Sequence, residues 1–345
     1  MVDDRSAPDK RFLENIFKTD LHCHLGGSIR LETLVELADE QGVPLPSKNI
    51  EKLKKTISPS EFGSLEEYLA AFTTTESVLR DPSALERVAY EVCEDAAKEN
   101  VIYLELRFGP TNYQTDDLSP QRVVSSVLEG MKRAEKEYPI RTGLILCGIR
   151  TELERTREAA ELAVIFQGRG VVGFDLAGAE RGHRPKDLMK AFTPVLKNFV
   201  PVTVHAGEGY GAKSIEEAIN YLRADRIGHG TKIQENTKLY DYVNVRRIAL
   251  EVCPTSNVQT QVVSSIGTHP MLRYFRDDLR VCINTDNRTI SDTTITNELG
   301  KCSKHLGLTR GDIKSLVKAG VKAAFLQPSE RTALLDRVDE QFEGL

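Results

Sequence analysis

The sequence lacks the features that send a chain into or across a membrane. No run of apolar residues approaches the length that a bilayer-spanning helix requires. The first seventeen residues, MVDDRSAPDKRFLENIF, are charged and have no apolar stretch typical of a signal peptide. We therefore expect a cytoplasmic protein that has no membrane partner.

The chain also lacks a surplus of positive charge. Its 345 residues carry a formal net charge of −5 and include no basic run and no basic patch interleaved with aromatic residues. Nucleic-acid binding favours a basic surface, because the protein must neutralise phosphates. With 40% hydrophobic and 28% charged residues, the composition is that of an ordinary globular protein without a nucleic-acid partner.

Cysteine is sparse and never forms a CxxC pair. Four of the six cysteines fall in apolar, strand-like stretches, which predicts reduced and mostly buried thiols in a reducing compartment. The six are Cys23, Cys93, Cys147, Cys253, Cys282 and Cys302.

Short apolar runs separated by longer amphipathic segments make up most of the chain. Eight runs are short and rich in β-branched or other apolar residues, and five of them end in Gly, Pro or Asn. They span 18–25, 101–110, 141–150, 170–178, 201–208, 225–230, 247–257 and 279–287. Eight strands alternating with helices predict a (β/α)₈ TIM barrel. The alternative is an open doubly wound sheet, but no GxGxxG follows the first strand.

Helical spacing of apolar residues predicts four helices, at 64–79, 83–99, 119–137 and 214–222. SALE and SIEE, at the starts of two of them, have the capping-box pattern. The segment at about 31–100 is too long for one crossover helix, so we expect extra helices there, over the C-terminal mouth of the barrel. We expect a single domain over 1–345 with a helical tail at about 289–345.

Polar residues gather where the predicted strands end, which is where barrels place their active sites. His22 and His24 alternate along the first strand and so face one side. Three protein ligands and a water make a catalytic zinc site, and a fourth protein ligand can expand it to five-coordinate. His22, His24, His205 and Asp286 supply such a set. The alternative is a group of hydrogen-bonded structural histidines. The residues at these ends are His22, His24, His205, Glu208, His229, Asp286 and Asn287.

Seven stretches, in order, resemble signature stretches of the adenosine deaminase family of the amidohydrolase superfamily. They are DLHCHLGGS, LELRFGP, GFDLAG, VTVHAGE, RIGHG, LEVCPTSN and NTDN. The resemblance covers roughly residues 10–330 and implies zinc-dependent hydrolysis of adenosine to inosine and ammonia. Superfamily members with two metals usually bridge them with a modified lysine on strand four, which has no lysine here, so we expect one Zn²⁺ per chain. The HxE and PCxxC pattern of the other zinc deaminases is absent.

The resemblance also implies roles for individual residues. Those of the metal centre are His22, His24, His205 and Asp286 as zinc ligands, with Asp286 counted among the catalytic residues. Glu208 would donate a proton to N1 of the purine, and His229 would orient or deprotonate the water on the metal. The backbone N–H of Gly178 would meet N3 of the base.

Two further residues are hypotheses about support for this site. Glu251 lies on the strand next to that of His229 and is expected to hold the imidazole of His229 in one tautomer. Ser256 is expected to support Asp286, with a turn-forming role as the alternative. SLEEYLAAF, with Leu65, Leu69 and Phe72 on one face, is either an apolar lid over the substrate or ordinary packing.

Two positions depart from the family pattern. Family members commonly have an acid after HxHL, an Asp near the ribose 5′-hydroxyl or a Glu in adenine-specific members, but this chain has Gly26. We expect the glycine to leave open volume and allow 5′-modified adenosines. Asn287 replaces a second Asp and would donate to purine N7. Alternatives to adenosine are free adenine, another amidohydrolase-type substrate, or a catalytically silent relative that binds a purine nucleoside.

Overall fold

The computed structural model describes residues 5–59 and 61–344, so both ends of the predicted 1–345 domain lie outside the described residues. Eight strands form its centre: β1 Lys18–His24, β2 Val101–Phe108, β3 Arg141–Ile149, β4 Val171–Ala177, β5 Thr203–Ala206, β6 Arg226–His229, β7 Ala249–Val252 and β8 Val281–Ile283. Each of the eight predicted runs contains one of these strands.

The strands close into a parallel barrel. β1 to β4 pair in chain order as one sheet, and β5 to β8 pair in chain order as a second. Two parallel bridges join the sheets, Phe174 with Val202 and Cys23 with Asp286. β2 is buried at every position, as expected for a strand covered on both faces. The predicted barrel is confirmed.

Helices surround the barrel. The α-helices are α1 Lys10–Asn15, α2 Leu31–Gln41, α3 Ile50–Ile57, α4 Leu65–Ala70, α5 Phe72–Thr75, α6 Pro82–Lys98, α7 Pro120–Glu137, α8 Leu153–Phe166, α9 Met189–Lys197, α10 Ala212–Leu222, α11 Thr237–Arg246, α12 Pro254–Gln259, α13 Met271–Arg276, α14 Ile295–Leu306, α15 Arg310–Ala323 and α16 Pro328–Gly344. Short 3₁₀ helices span Glu76–Val78, Pro110–Asn112, Pro185–Leu188, Ile233–Glu235 and Ile266–Thr268.

The extra helices fall in the two predicted segments. Helices α2 to α6 occupy the stretch between β1 and β2, and α14 to α16 form the tail. Helix α15 packs against β8 and β1, so part of the tail belongs to the outer ring of the barrel. In the described part of the chain, no helix combines the length and the apolar character that a membrane crossing needs. All six cysteines are free and buried.

The predicted helix at 64–79 is broken into α4, α5 and a 3₁₀ turn. Ala71 separates α4 from α5, and the three threonines of α5 have low helix propensity, which keeps that helix short. Thr75 Oγ1 donates to the carbonyl of Phe72, and Ser77 Oγ donates to that of Thr74. Such bonds to preceding carbonyls bend helices. The bend matters because this segment lies over the barrel mouth.

Both predicted capping boxes are wrong. Helix α6 begins at Pro82, and its cap is Asp81, whose Oδ1 accepts from the backbone N–H groups of Ser83 and Ala84. Helix α10 begins at Ala212, before Ser214, and its first N–H donates to Glu235 Oε2 at 3.1 Å. The serine–glutamate patterns therefore lie inside these helices.

Candidate active site

Three imidazoles and one carboxylate converge at the carboxyl end of the barrel. His205 Nε2 lies 3.0 Å from His22 Nε2 and 3.2 Å from His24 Nε2. Asp286 Oδ1 lies 3.5 Å and 3.3 Å from the same nitrogens of His22 and His24. The backbone fixes this geometry, because Asp286 N donates to the carbonyl of His22, and His24 N donates to that of Asp286, each at 2.7 Å.

The nitrogens that face away from the cluster show that the residues fit a cation. His22 Nδ1 lies 2.8 Å from Glu251 Oε2, and His205 Nδ1 lies 3.1 Å from Asp175 Oδ1. A carboxylate accepts the Nδ1–H of its imidazole, which leaves a lone pair on each Nε2. Two lone pairs 3.0 Å apart repel unless a cation lies between them. Nitrogen ligands and one carboxylate suit zinc.

Burial and neighbouring charges shift the pKa values of all four groups in the cluster. Burial lowers the pKa of His205, and it lowers that of His24 well below the usual range. Burial also acts most strongly on His22, but its hydrogen bonds with Asp286 and Glu251 outweigh burial and raise its pKa. Burial alone would raise the pKa of Asp286, but His22, His24 and His229 overcome that effect and hold it far below the usual range. Asp286 is therefore ionised at neutral pH.

His229 lies beside this cluster, and ligand atoms of His22, His205, His229 and Asp286 all fall within 4.8 Å of one another. Its tautomer argues against ligation. Met271 N donates to His269 Nδ1, so His269 donates from Nε2 to Asn257 Oδ1 at 3.2 Å. The amide of Asn257 then donates to His229 Nδ1 at 3.0 Å. His229 Nε2 therefore carries a proton and presents a donor.

Glu208 is buried next to the cluster, with Oε2 3.4 Å from His229 Nε2. Burial, followed by the charges of Asp286 and Glu180, raises the pKa of Glu208 well above its usual range. Sequence reasoning missed Glu180, whose carboxylate accepts from the backbone N–H groups of Gly207, Glu208 and Tyr210 at 2.7, 3.0 and 2.8 Å. Glu180 thus holds the loop that carries Glu208.

The predicted role of Glu251 is wrong. Its carboxylate holds His22, as described above, and the imidazole of His229 is held by Asn257. Arg107 bridges the two supporting carboxylates, with Nη1 3.0 Å from Asp175 Oδ2 and Nη2 2.8 Å from Glu251 Oε2. Sequence reasoning did not assign roles to Arg107, Asp175 and Asn257, although they lie in the stretches that carry the family resemblance.

Ser256 does not support Asp286. Its hydroxyl is buried and has no hydrogen-bond partner among the described residues.

Gly178 directly follows β4 with φ +96°, a backbone conformation that favours glycine. His229 and Asp286 also have positive φ, +63° and +61°, and such strained residues cluster at functional sites.

Asn287 is shared between the barrel and the lid. Its amide nitrogen donates to Tyr68 Oη at 2.7 Å, and Tyr68 Oη lies 2.7 Å from Ser291 Oγ. Asn287 Oδ1 is buried without a partner in the described chain and fills the space beside Gly27. A Cβ on Gly27 would lie 2.5 Å from Asn287 Cγ, so only glycine fits. Sequence reasoning missed Tyr68.

The space expected beside Gly26 is not open. A Cβ on Gly26 would lie 2.6 Å from Cγ of Glu76 and 2.9 Å from its Cδ. The carboxylate of Glu76, from the broken helical segment, takes this volume. The prediction of open volume is wrong, because a residue fifty positions later in the chain supplies an acid at the same place.

The lid segment does contact the site. Phe72 packs edge-on against the His24 ring, with ring centroids 6.1 Å apart. Tyr68, on α4, is buried and reaches Asn287. Leu65 and Leu69 are half-buried. Phe72 and Tyr68 therefore bring this segment into contact with residues of the site.

These features define a class of protein: a parallel barrel with a cluster of histidines and one aspartate at the carboxyl ends of its strands. The sequence model described as Adenosine deaminase matches residues 17–341. Adenosine deaminases of Shewanella pealeana and Clostridium botulinum are each 40% identical to the chain, over 93% and 89% of it and 98% and 94% of their own lengths. The chain belongs to the adenosine deaminase family.

Solved structures share the fold. The Arabidopsis N6-mAMP deaminase is 28% identical with a TM-score of 0.85, covering 96% of this chain and 99% of its own. Arabidopsis ADAL complexed with IMP has the same identity and TM-score, with coverage of 96% and 98%. A Burkholderia ambifaria amidohydrolase with bound Zn is 24% identical with a TM-score of 0.88, covering 98% and 96%. This last likeness shows the fold alone.

Proposed function

We propose that this chain is a metal-dependent aminohydrolase that converts adenosine, or a 5′-modified adenosine, to the inosine analogue and ammonia. One observation carries the proposal: the Nε2 atoms of three imidazoles and an ionised carboxylate converge beside the buried carboxyl group of Glu208. The family assignment, with curated relatives that are adenosine deaminases, supports the same reaction.

We propose one zinc ion per chain, held by Nε2 of His22, His24 and His205 and by Asp286. The proton on His229 Nε2 favours His24 over His229 as the third imidazole. Glu251 and Asp175 fix the tautomers of His22 and His205, which keeps both lone pairs directed inward. When bound there, zinc supplies a hydroxide nucleophile at neutral pH.

Glu208 supplies the proton that makes the ring electrophilic. Burial raises the pKa of Glu208, which favours the protonated carboxyl that can donate to purine N1. His229 donates from Nε2 and orients the attacking water, a role that its tautomer favours over deprotonation. Gly178 N–H is assigned to N3 of the base. Asn287 is assigned to N7, to which its amide nitrogen can donate the second of its two N–H groups while the first is directed at Tyr68 Oη.

The chain that performs this reaction is proposed to be a single domain over 1–345, because β1 and the segment after β8 both supply ligands. Its six buried free thiols are consistent with a cytoplasmic location. The substrate is a small purine nucleoside.

The test is metal analysis together with an ammonia-release screen. The screen compares adenosine, 2′-deoxyadenosine, 5′-substituted adenosines, AMP and adenine with zinc-loaded protein. We expect about one zinc per chain and turnover of adenosine or a 5′-substituted adenosine. Turnover of adenine alone would indicate an adenine deaminase instead. No ammonia release from any of the compounds would contradict the proposed function.

A further inference from the structure

Glu76 is a carboxyl residue in the site to which sequence reasoning assigned no role. It begins the 3₁₀ turn Glu76–Val78, directly after α5. Its side chain fills the space beside Gly26, and a Cβ on that glycine would be 2.6 Å from Glu76 Cγ and closer still to Oε1. Gly26 is two residues beyond His24, so this carboxylate lies next to the metal-facing end of β1.

The hydrogen bonds of Glu76 leave one oxygen unused. Buried Tyr113 donates from Oη to Glu76 Oε1 at 2.5 Å. Among the described residues, no other group donates to this carboxylate, and no Lys, Arg or His pairs with it. Burial raises the pKa of Glu76 to about 7, against the opposing effect of Tyr113. A half-buried carboxyl group with a free acceptor and no cation is costly to the fold, which points to a role in binding a ligand.

The position of Glu76 in the barrel indicates which part of a substrate it would meet. Gly26 follows β1 and Tyr113 follows β2, whereas Glu208 and His229 lie at the ends of β5 and β6. In a closed eight-stranded barrel these two strand pairs lie on opposite sides. A purine with N1 at Glu208 therefore directs its N9 side, which carries the sugar, across the mouth towards Glu76.

We propose that Glu76, held by Tyr113, forms a subsite that accepts a hydrogen bond from a sugar hydroxyl of the purine nucleoside. This inference rests on the proposed function, because it takes the orientation of the base from Glu208. Gly26 is then required for space rather than for backbone conformation, since its φ is not in the left-handed region. The subsite would favour a ligand whose sugar hydroxyl can donate.

The first test compares kcat/KM for adenosine with 2′-deoxy-, 3′-deoxy- and 5′-deoxyadenosine. A hydrogen bond to a charged group predicts that the wild type disfavours one of these analogues by ~10- to 100-fold. Glu76→Ala should reduce that ratio to within ~3-fold. Zinc content and chemical denaturation of the variant show separately whether it is folded. Glu67→Ala removes an exposed carboxylate from the same lid and should keep the wild-type ratio.

The second test moves the carboxylate. Gly26→Asp alone should lower kcat/KM for all four substrates, because its Cβ collides with Glu76. Gly26→Asp combined with Glu76→Ala should restore discrimination, since the new side chain occupies the vacated volume. Calorimetry with inosine and the matching deoxyinosine should show the same pattern in Kd, independently of turnover.

The two proposals fail in different ways. If the zinc-loaded wild type deaminates none of the four nucleosides, the proposed function is wrong. If it deaminates all four with equal kcat/KM, the subsite does not exist. A Glu76→Ala variant that keeps the wild-type ratio, or that loses activity equally on all four, would also overturn the subsite.

Discussion

At the scale of single residues, the second nitrogen of each imidazole decides what the first can do. Carboxylates on Nδ1 of His22 and His205 leave their Nε2 atoms as ligands. The amide of Asn257 on His229 Nδ1 leaves that Nε2 as a donor. Three histidines within a few ångströms of one another thus differ in chemistry because of the groups behind them.

Asn257→Asp should reverse the tautomer of His229. A carboxylate can only accept, so the imidazole proton moves to Nδ1 and the Nε2 donor is lost. We expect kcat to fall by about 10- to 100-fold, the usual effect of losing such a supporting group. Ring ¹⁵N chemical shifts of His229 would report the tautomer directly. Asn244→Asp, which makes the same charge change on α11, is the control, and an unchanged tautomer in Asn257→Asp would contradict the assignment.

Glu208→Gln should retain metal and lose turnover. The amide keeps the shape of the side chain but cannot give up a proton, so kcat should fall by at least ~10²-fold. In the wild type the acid form is active and its pKa is raised, so activity should decline as pH rises through that pKa. This alkaline limb should be absent in the variant. A variant with wild-type turnover and normal zinc would remove Glu208 from the mechanism.

Residues that lie at strand ends could be placed from the sequence, and residues that reach the site from elsewhere could not. Strand alternation and the barrel rule put His22, His24, His205 and Asp286 on one rim. Glu76 and Tyr68 enter from an insertion whose path over the mouth depends on tertiary packing. Glu251 was identified but assigned to the wrong histidine, because pairing along β7 does not show which imidazole a side chain reaches.

At the scale of elements, periodicity located helices well and local capping patterns located their ends poorly. The α7 range was predicted to within a residue, since Ser119 caps it and Pro120 follows. The start of α10 depends on Glu235, 23 residues away, which no local pattern could show. Phe72 and Glu76, which follow the break between α4 and α5, lie against His24 and Gly26 of the site.

The cap of α6 offers a direct test. Asp81→Ala removes the acceptor of two backbone N–H groups, so the free energy of unfolding should fall by about 1 kcal/mol. Ser83→Ala is the matched control and should stay within about 0.5 kcal/mol of the wild type, because Ser83 is not the cap. Chemical denaturation of both variants measures the difference. Equal losses of stability, or a larger loss in Ser83→Ala, would support Ser83 as the N-cap of α6.

At the scale of the whole molecule, the four proposed zinc ligands come from both halves of the barrel. His22 and His24 belong to the sheet β1 to β4, whereas His205 lies in the sheet β5 to β8 and Asp286 follows β8. The bridge between Cys23 and Asp286 closes the seam at the same place. A cation held by these four residues would therefore cross-link strands that are far apart in the chain, which couples metal binding to the stability of the fold.

Removal of the metal should consequently lower Tm. At a free zinc concentration about 1,000-fold above Kd, binding contributes about 4 kcal/mol to the free energy of unfolding. A chelator should remove this contribution and lower Tm by several degrees, as scanning calorimetry would show. Asp286→Ala and His205→Ala should lose metal and activity together, and their Tm should respond little to the chelator because they lack a ligand. Acidification should act in the same direction, since protonation of the histidines competes with the metal. A wild-type Tm that is unaffected by the chelator, in protein shown to have released its metal, would mean that the barrel seam is held by its hydrogen bonds and packing alone.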